Sequence, residues 1–152
     1  MGLWGRFPAA SLAVLCTMAI GCGGGAKAER TLPVSSLSEA KFVERADAIC
    51  AEGRERGLRY QPSLPSGQTG AAIAEAIDIS VLPALRQAAD ALYRLGAPAG
   101  RHGKVEAFLA SFEEALGKVE DLEVPSFERL EPLLGPSGDL ALRAGLESCG
   151  YG

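Results

Sequence analysis

Most of the residue patterns that carry chemistry are missing from this chain. There is one histidine, His102 in Gly100-Arg101-His102-Gly103, and no serine or cysteine stands in a nucleophile motif near it. A catalytic triad or a zinc site therefore has no second member to build on, and the bland reading is a surface histidine at a helix start. No Cys-x-x-Cys pair occurs, which removes thioredoxin-like redox chemistry and zinc knuckles. Neither Gly-x-x-x-x-Gly-Lys nor Gly-x-Gly-x-x-Gly is present, and the triple glycine Gly23 to Gly25 follows an apolar run rather than a strand, so there is no phosphate cradle. The 15 Lys and Arg are scattered and outnumbered by 19 Asp and Glu, for a formal net charge of −4. That balance is a poor match to nucleic acid, which rewards clustered basic residues. No stretch alternates β-branched and polar residues, and no hairpin turn is visible, so a sheet has no support. The expectation is a protein without catalytic residues, cofactor or metal.

What the chain does have begins near its start. Arg6 and the starting amine precede an apolar stretch from Ala9 to Ile20, about a dozen residues, where a membrane-spanning helix needs roughly 20. It ends in Ala19-Ile20-Gly21-Cys22, small residues leading directly into a cysteine. This arrangement resembles a bacterial lipoprotein signal. The resemblance implies that residues 1–21 are removed, that Cys22 becomes the lipidated first residue, and that the mature chain sits on the extracytoplasmic face of the cell membrane. An ordinary secretory signal cut near Gly25-Ala26 is the competing reading. The mature chain is acidic, so attachment would rest on acyl chains, of which stable anchoring needs two or more.

Cysteine arithmetic follows from that. Of four cysteines, Cys16 leaves with the signal and Cys22 takes the lipid, so Cys50 and Cys149 remain in an exported, oxidising compartment. They are expected to form a disulfide; two buried, reduced thiols are the alternative. The bridge would close a loop of about 100 residues, for which chain entropy gives about 4.7 kcal/mol as an upper figure.

Residues 22–37 read as a flexible linker, with Gly23-Gly24-Gly25, solvated Lys27, Glu29 and Arg30, and then Pro33, Ser35 and Ser36. Residues 38–152 are one domain's worth of chain. Ser36-Leu37-Ser38-Glu39 has capping-box spacing, so a first helix starts near Ser36 or Ser38, buries Phe42, Ala46, Ile49, Cys50 and Gly53, and stops at Gly57. Leu58 to Gly67 is loop composition. A second helix spans about Thr69 to Leu95 with the stripe Ile73, Ile77, Val81, Leu85, Ala88, Leu92, and Pro83 should kink or break it at Ser80 to Leu82. The third, about Gly100 to Leu122, carries Val105, Phe108, Leu109, Phe112, Ala115, Leu116 and Val119 on one face. Pro125 opens a short helix with Phe127, Leu130, Leu133 and Leu134; Gly135-Pro136-Ser137-Gly138 breaks the chain; and a last helix runs to about Ser148. The fold class is all-α, a small bundle of four to five helices with a Pro-kinked second helix.

The acidic residues Glu113, Glu114, Glu120, Asp121, Glu123, Glu128 and Glu131 match no EF-hand spacing and read as a solvated surface. Phe42 to Cys50, the Leu82-Pro83-Ala84-Leu85 segment and Gly145 to Gly150 together resemble small secreted or lipid-anchored helical proteins of high-GC actinobacteria. That resemblance implies topology and the disulfide, and brings no catalytic or binding residue. The functional expectation is a non-enzymatic envelope interaction or structural module with a protein partner. The alternative is a carrier of a small apolar ligand or lipid between the kinked second helix and the third, where a cavity lined by Ile77, Val81, Phe108 and Phe112 would favour it and a filled core would exclude it.

Overall fold

The computed structural model describes residues 30–59 and 69–150. It is all-α, with α1 (Glu39–Leu58), α2 (Gly70–Ala76), a π turn (Ile77–Val81), α3 (Leu82–Leu95), α4 (His102–Glu120) and α5 (Phe127–Arg143). α2, the π turn and α3 follow one another without a gap, so four rods make the bundle. The described residues hold no strand, only an isolated parallel bridge between Val34 and Ala97. α1 packs on α3, α4 packs on α5, and α3 meets α4. The anticipated signal segment and Cys22 lie outside the described residues, as does most of the loop expected between Leu58 and Gly67.

The compact unit begins at Thr31, so residues 31–37, expected to be linker, are part of the fold. Composition misled here because two isolated leucines, Leu32 and Leu37, and backbone bonding hold the segment. Leu32 is 2% exposed. The Ala97 amide donates to the Pro33 carbonyl at 3.0 Å and the Ser35 amide donates to the Ala97 carbonyl at 2.9 Å. This strap crosses the end of α3, where Gly96 has φ +66° and a Cβ would stand 2.5 Å from the Pro33 oxygen. Only glycine satisfies both conditions.

α1 starts as the sequence predicts, with Ser38 as the cap: its Oγ accepts from the Lys41 amide at 3.4 Å. With Ser38 as the cap, Glu39 is the first helical residue rather than the third, so the capping box does not form, and Glu39 pairs with Arg101, 3.2 Å away. Phe42 and Ala46 are fully buried, with Ile49 and Cys50 packed against the core. Arg56 pairs with Glu52 across one turn. Gly57 does not stop the helix. It is buried inside α1, one turn after Gly53, and both face the rod formed by the π turn and α3.

Pro83 lacks an amide hydrogen, and its ring crowds the carbonyl four residues back. The chain answers by widening rather than breaking: the Leu82 amide reaches the Ile77 carbonyl, five residues back. Pro83 then falls in the first turn of α3, where proline is tolerated. The extra residue in that turn shifts the apolar stripe. Ile77, Ala88 and Leu92 of that stripe are buried as expected, but Leu82, Ala84 and Ala89 join them, while Val81 and Leu85 are only partly covered.

All seven apolar residues expected on the third helix are buried on α4. Two of them, Phe108 and Phe112, stack with ring centroids 5.8 Å apart. The expected break at Gly135-Pro136-Ser137-Gly138 is absent, and α5 is one helix through Pro132 and Pro136. The two prolines are four residues apart and both exposed, so the helix loses its bonds on the wet side, where water can satisfy the orphaned carbonyls. The buried side keeps Leu130, Leu134, Ser137, Gly138 and Ala141. Ser137, fully buried, donates from Oγ to the Leu134 carbonyl at 2.7 Å. The helix ends earlier than expected, at Arg143, in a Schellman arrangement with Gly145 at φ +76°. The Leu146 amide donates to the Ala141 carbonyl at 3.0 Å and the Gly145 amide to the Leu142 carbonyl at 2.9 Å.

Candidate functional site

The C-terminal half of α1 is stripped of side chains on one face, because Gly53 and Gly57 recur at a four-residue interval. A residue with no side chain leaves space unless a neighbour closes in, and here the two positions differ. At Gly53 the neighbour closes in: a Cβ would lie 2.9 Å from the Ala88 Cβ. At Gly57 the nearest atom, the Val81 Cα, is 3.8 Å from where a Cβ would be. The first turns of α5 stand opposite and carry Phe127, Leu130 and Leu134. Between them opens a groove of about 390 Å³. Its walls are apolar, from Leu58, Val81, Leu85, Phe127, Leu130 and Leu134, and it has two charged residues, Arg54 from α1 and Glu131 from α5. The volume lies within the roughly 300–1,000 Å³ of small-molecule sites.

Arg54 also holds residues 148–150 in place. Its Nη2 donates to the Gly150 carbonyl at 3.3 Å and to the Ser148 carbonyl. The Ser148 amide donates to Asp47 Oδ1 at 2.8 Å. Between these two attachments the sequence-predicted disulfide forms, joining Cys50 and Cys149 across a Cα separation of 5.1 Å. Residues 146–150 are thus fixed to α1 by one covalent and several polar links, with Leu146 fully buried beneath them. A second, smaller void of about 50 Å³ lies beside the bridge, bordered by Leu85, Leu92, Phe108 and Phe112.

The cavity expected from Ile77, Val81, Phe108 and Phe112 does not exist as one space. Ile77, Phe108 and Phe112 are 0%, 2% and 3% exposed in the core, and only Val81 reaches the groove. The reason is the π turn, which rotates Val81 off the stripe it was assigned to and toward α1. His102 is the first residue of α4, as a helix-start histidine should be, yet it is half-buried. Its Nε2 lies 2.8 Å from the Leu32 carbonyl, so it helps to hold the strap, and its Nδ1 is 4.0 Å from Glu106. Among the acidic residues, Glu114, Glu120, Asp121, Glu123, Glu128 and Glu131 are exposed. Glu114 pairs with Lys118 at 2.7 Å and Glu120 receives a bond from Arg86 Nε at 2.7 Å. No group of three or more metal-ligating side chains stands together among the described residues.

Sequence reasoning missed Arg54 and Arg101. Arg101 bridges three elements, donating from Nη1 to the Ala144 carbonyl at 2.6 Å and from Nε to Glu39 at 3.2 Å. Neither arginine shows a local sequence signal, since each acts on residues far along the chain. Gly53 and Gly57 did carry one, two glycines on the apolar face of a helix. The Glu44 carboxyl is held below its usual range by hydrogen bonding and attraction from Lys41, 2.8 Å away on the exposed face of α1. Comparison of the chain with protein-family models, curated proteins and solved structures finds no match. The groove can bind an apolar body of modest size by burial; the polar groups beside it can orient one end of that body.

Proposed function

We propose that the chain is a lipid-anchored, extracytoplasmic helical module that acts by non-covalent interaction rather than by catalysis. The observation that carries this reading is the Cys50–Cys149 disulfide, since such a cross-link is characteristic of an oxidising compartment. With those two cysteines committed to each other, Cys22 is left at the end of its short apolar run, in the position of a lipid acceptor. Expressed in a bacterial host, the chain should fractionate with the membrane and carry the added mass of its acyl groups. Cys22→Ala should lose the acyl mass and either shift to soluble secretion or remain unprocessed, and unchanged fractionation and mass for that variant would remove the anchor from this reading.

A second reading, a carrier of a small apolar ligand, is favoured by the groove between α1 and α5. The strap enters at the Glu39 end of α1, and the groove opens near Leu58 at the other end. At 1.5 Å per residue the two are about 28 Å apart along the helix. The groove thus lies toward the end of α1 away from the strap, available to a ligand or partner.

A further inference from the structure

The groove is apolar along its length, but its charged residues are not equivalent. Arg54 is held in place by its Nη2 bonds to the Ser148 and Gly150 carbonyls, and its Nε and Nη1 have no partner among the described residues. A guanidinium already fixed by part of its donor fork loses little further freedom when the rest of the fork takes a carboxylate. Glu131, exposed on α5, has no bond among the described residues that fixes it. It is a solvated charge that disfavours an anion on its own wall and leaves the Arg54 side as the seat. The groove's volume, about 390 Å³, lies toward the lower end of ligand sites and suits one hydrocarbon chain better than two.

We propose that the groove seats a single-chain anionic amphiphile of the fatty-acid class, its hydrocarbon chain between α1 and α5 and its carboxylate on Arg54. This rests on the carrier reading and adds the ligand's charge and orientation to it. Carboxylate binding here involves no bond making; the head exchanges water for the unused Arg54 donors, and the chain leaves water for the walls formed by Val81, Leu85, Phe127 and Leu130.

The test uses the full chain with Cys22→Ala, which removes any acyl group of its own, titrated calorimetrically with dodecanoate and with dodecanol below their aggregation limits. Dodecanoate should bind about tenfold more tightly than the alcohol, the ratio that a hydrogen-bonded charge at one end supplies. Arg54→Gln should erase that preference while leaving the alcohol's affinity within about twofold, and Arg54→Lys should restore part of it. Melting temperatures of each variant separate this from simple loosening of residues 146–150, which would weaken both ligands together and so overturn the assignment of Arg54. Equal binding of the two ligands to the unsubstituted Arg54 chain would overturn the anionic seat and leave the carrier reading standing. Binding of neither would overturn both.

Discussion

At the scale of single residues, the two glycines of α1 show how one residue type does two jobs four positions apart. Gly53 is needed because α3 lies so close that a Cβ would stand 2.9 Å from the Ala88 Cβ, and helix backbones on both sides leave no flexible group to give way. Gly57 is not needed for that reason, since a Cβ there makes ordinary contact at 3.8 Å with the Val81 Cα. Glycine within a helix costs about 0.5–1 kcal/mol relative to alanine, whereas overpacking a close contact costs about 1–3 kcal/mol. The same substitution should therefore have opposite signs at the two sites. Gly57→Ala should raise the melting temperature by a few degrees, and Gly53→Ala should lower it, both followed by circular dichroism at 222 nm. A Gly53→Ala variant as stable as the parent would mean that α1 and α3 do not approach this closely. Gly96 belongs to a third case, because its positive φ and its contact with the Pro33 oxygen exclude every side chain on conformational and steric grounds together.

At the scale of elements, proline placement decides where helices bend and where they survive. Pro83 lies at the start of α3 and is absorbed by the π turn before it; Pro132 and Pro136 lie in mid-helix but on the wet face of α5. The carbonyls of Glu128 and Pro132, four residues before those prolines, are the ones that lose an amide partner. Pro136→Ala gives the Pro132 carbonyl a donor again, so it should stabilise the domain by about 1 kcal/mol. That is less than the full 3 kcal/mol of an interior proline, because water already serves the carbonyl. Thermal melts of the two proteins measure this, and a destabilised variant would show that α5 needs its proline geometry for packing on α4. These elements also mark what could be read from the sequence. α4 was legible residue by residue because its stripe is uninterrupted, and the cysteine pairing was legible because the expected signal accounted for the other two thiols. The strap was not, since backbone bonds to Ala97 leave no side-chain pattern. The continuity of α5 was not either, because a Gly-Pro-Ser-Gly run reads as a break, and its proline survives in the helix by facing water. The groove was misplaced for a related reason: an α-helical count carried Val81 and Leu85 onto the core stripe, and the π turn moved them to its edge.

At the scale of the whole molecule, the disulfide encloses nearly all of the domain, with 99 positions separating its cysteines. Its effect falls mainly on the unfolded chain, which it keeps compact, so its loss should lower the stability of the whole bundle rather than of one corner. A loss of about 2–4 kcal/mol is typical, and for a domain of this size it corresponds to roughly 10 °C in melting temperature. The local consequence is narrower than the helix boundaries read from sequence imply. α5 is held by Leu130, Leu134 and Ala141 in the core and its C-terminus by Arg101 on the Ala144 carbonyl, so it should stay docked when the bridge is cut. Beyond Gly145 the chain depends on buried Leu146, on Asp47 and on Arg54, and it is this last segment that reduction should free first. Limited proteolysis of the Cys50→Ala, Cys149→Ala protein should therefore cut first after Gly145, with a melting transition that remains cooperative but moves to lower temperature. First cuts between Gly135 and Gly138 would show that the C-terminal half of α5 relies on the cross-link for its place against α4, and an unchanged melting temperature would show that the polar contacts of Asp47 and Arg54 close the bundle without it.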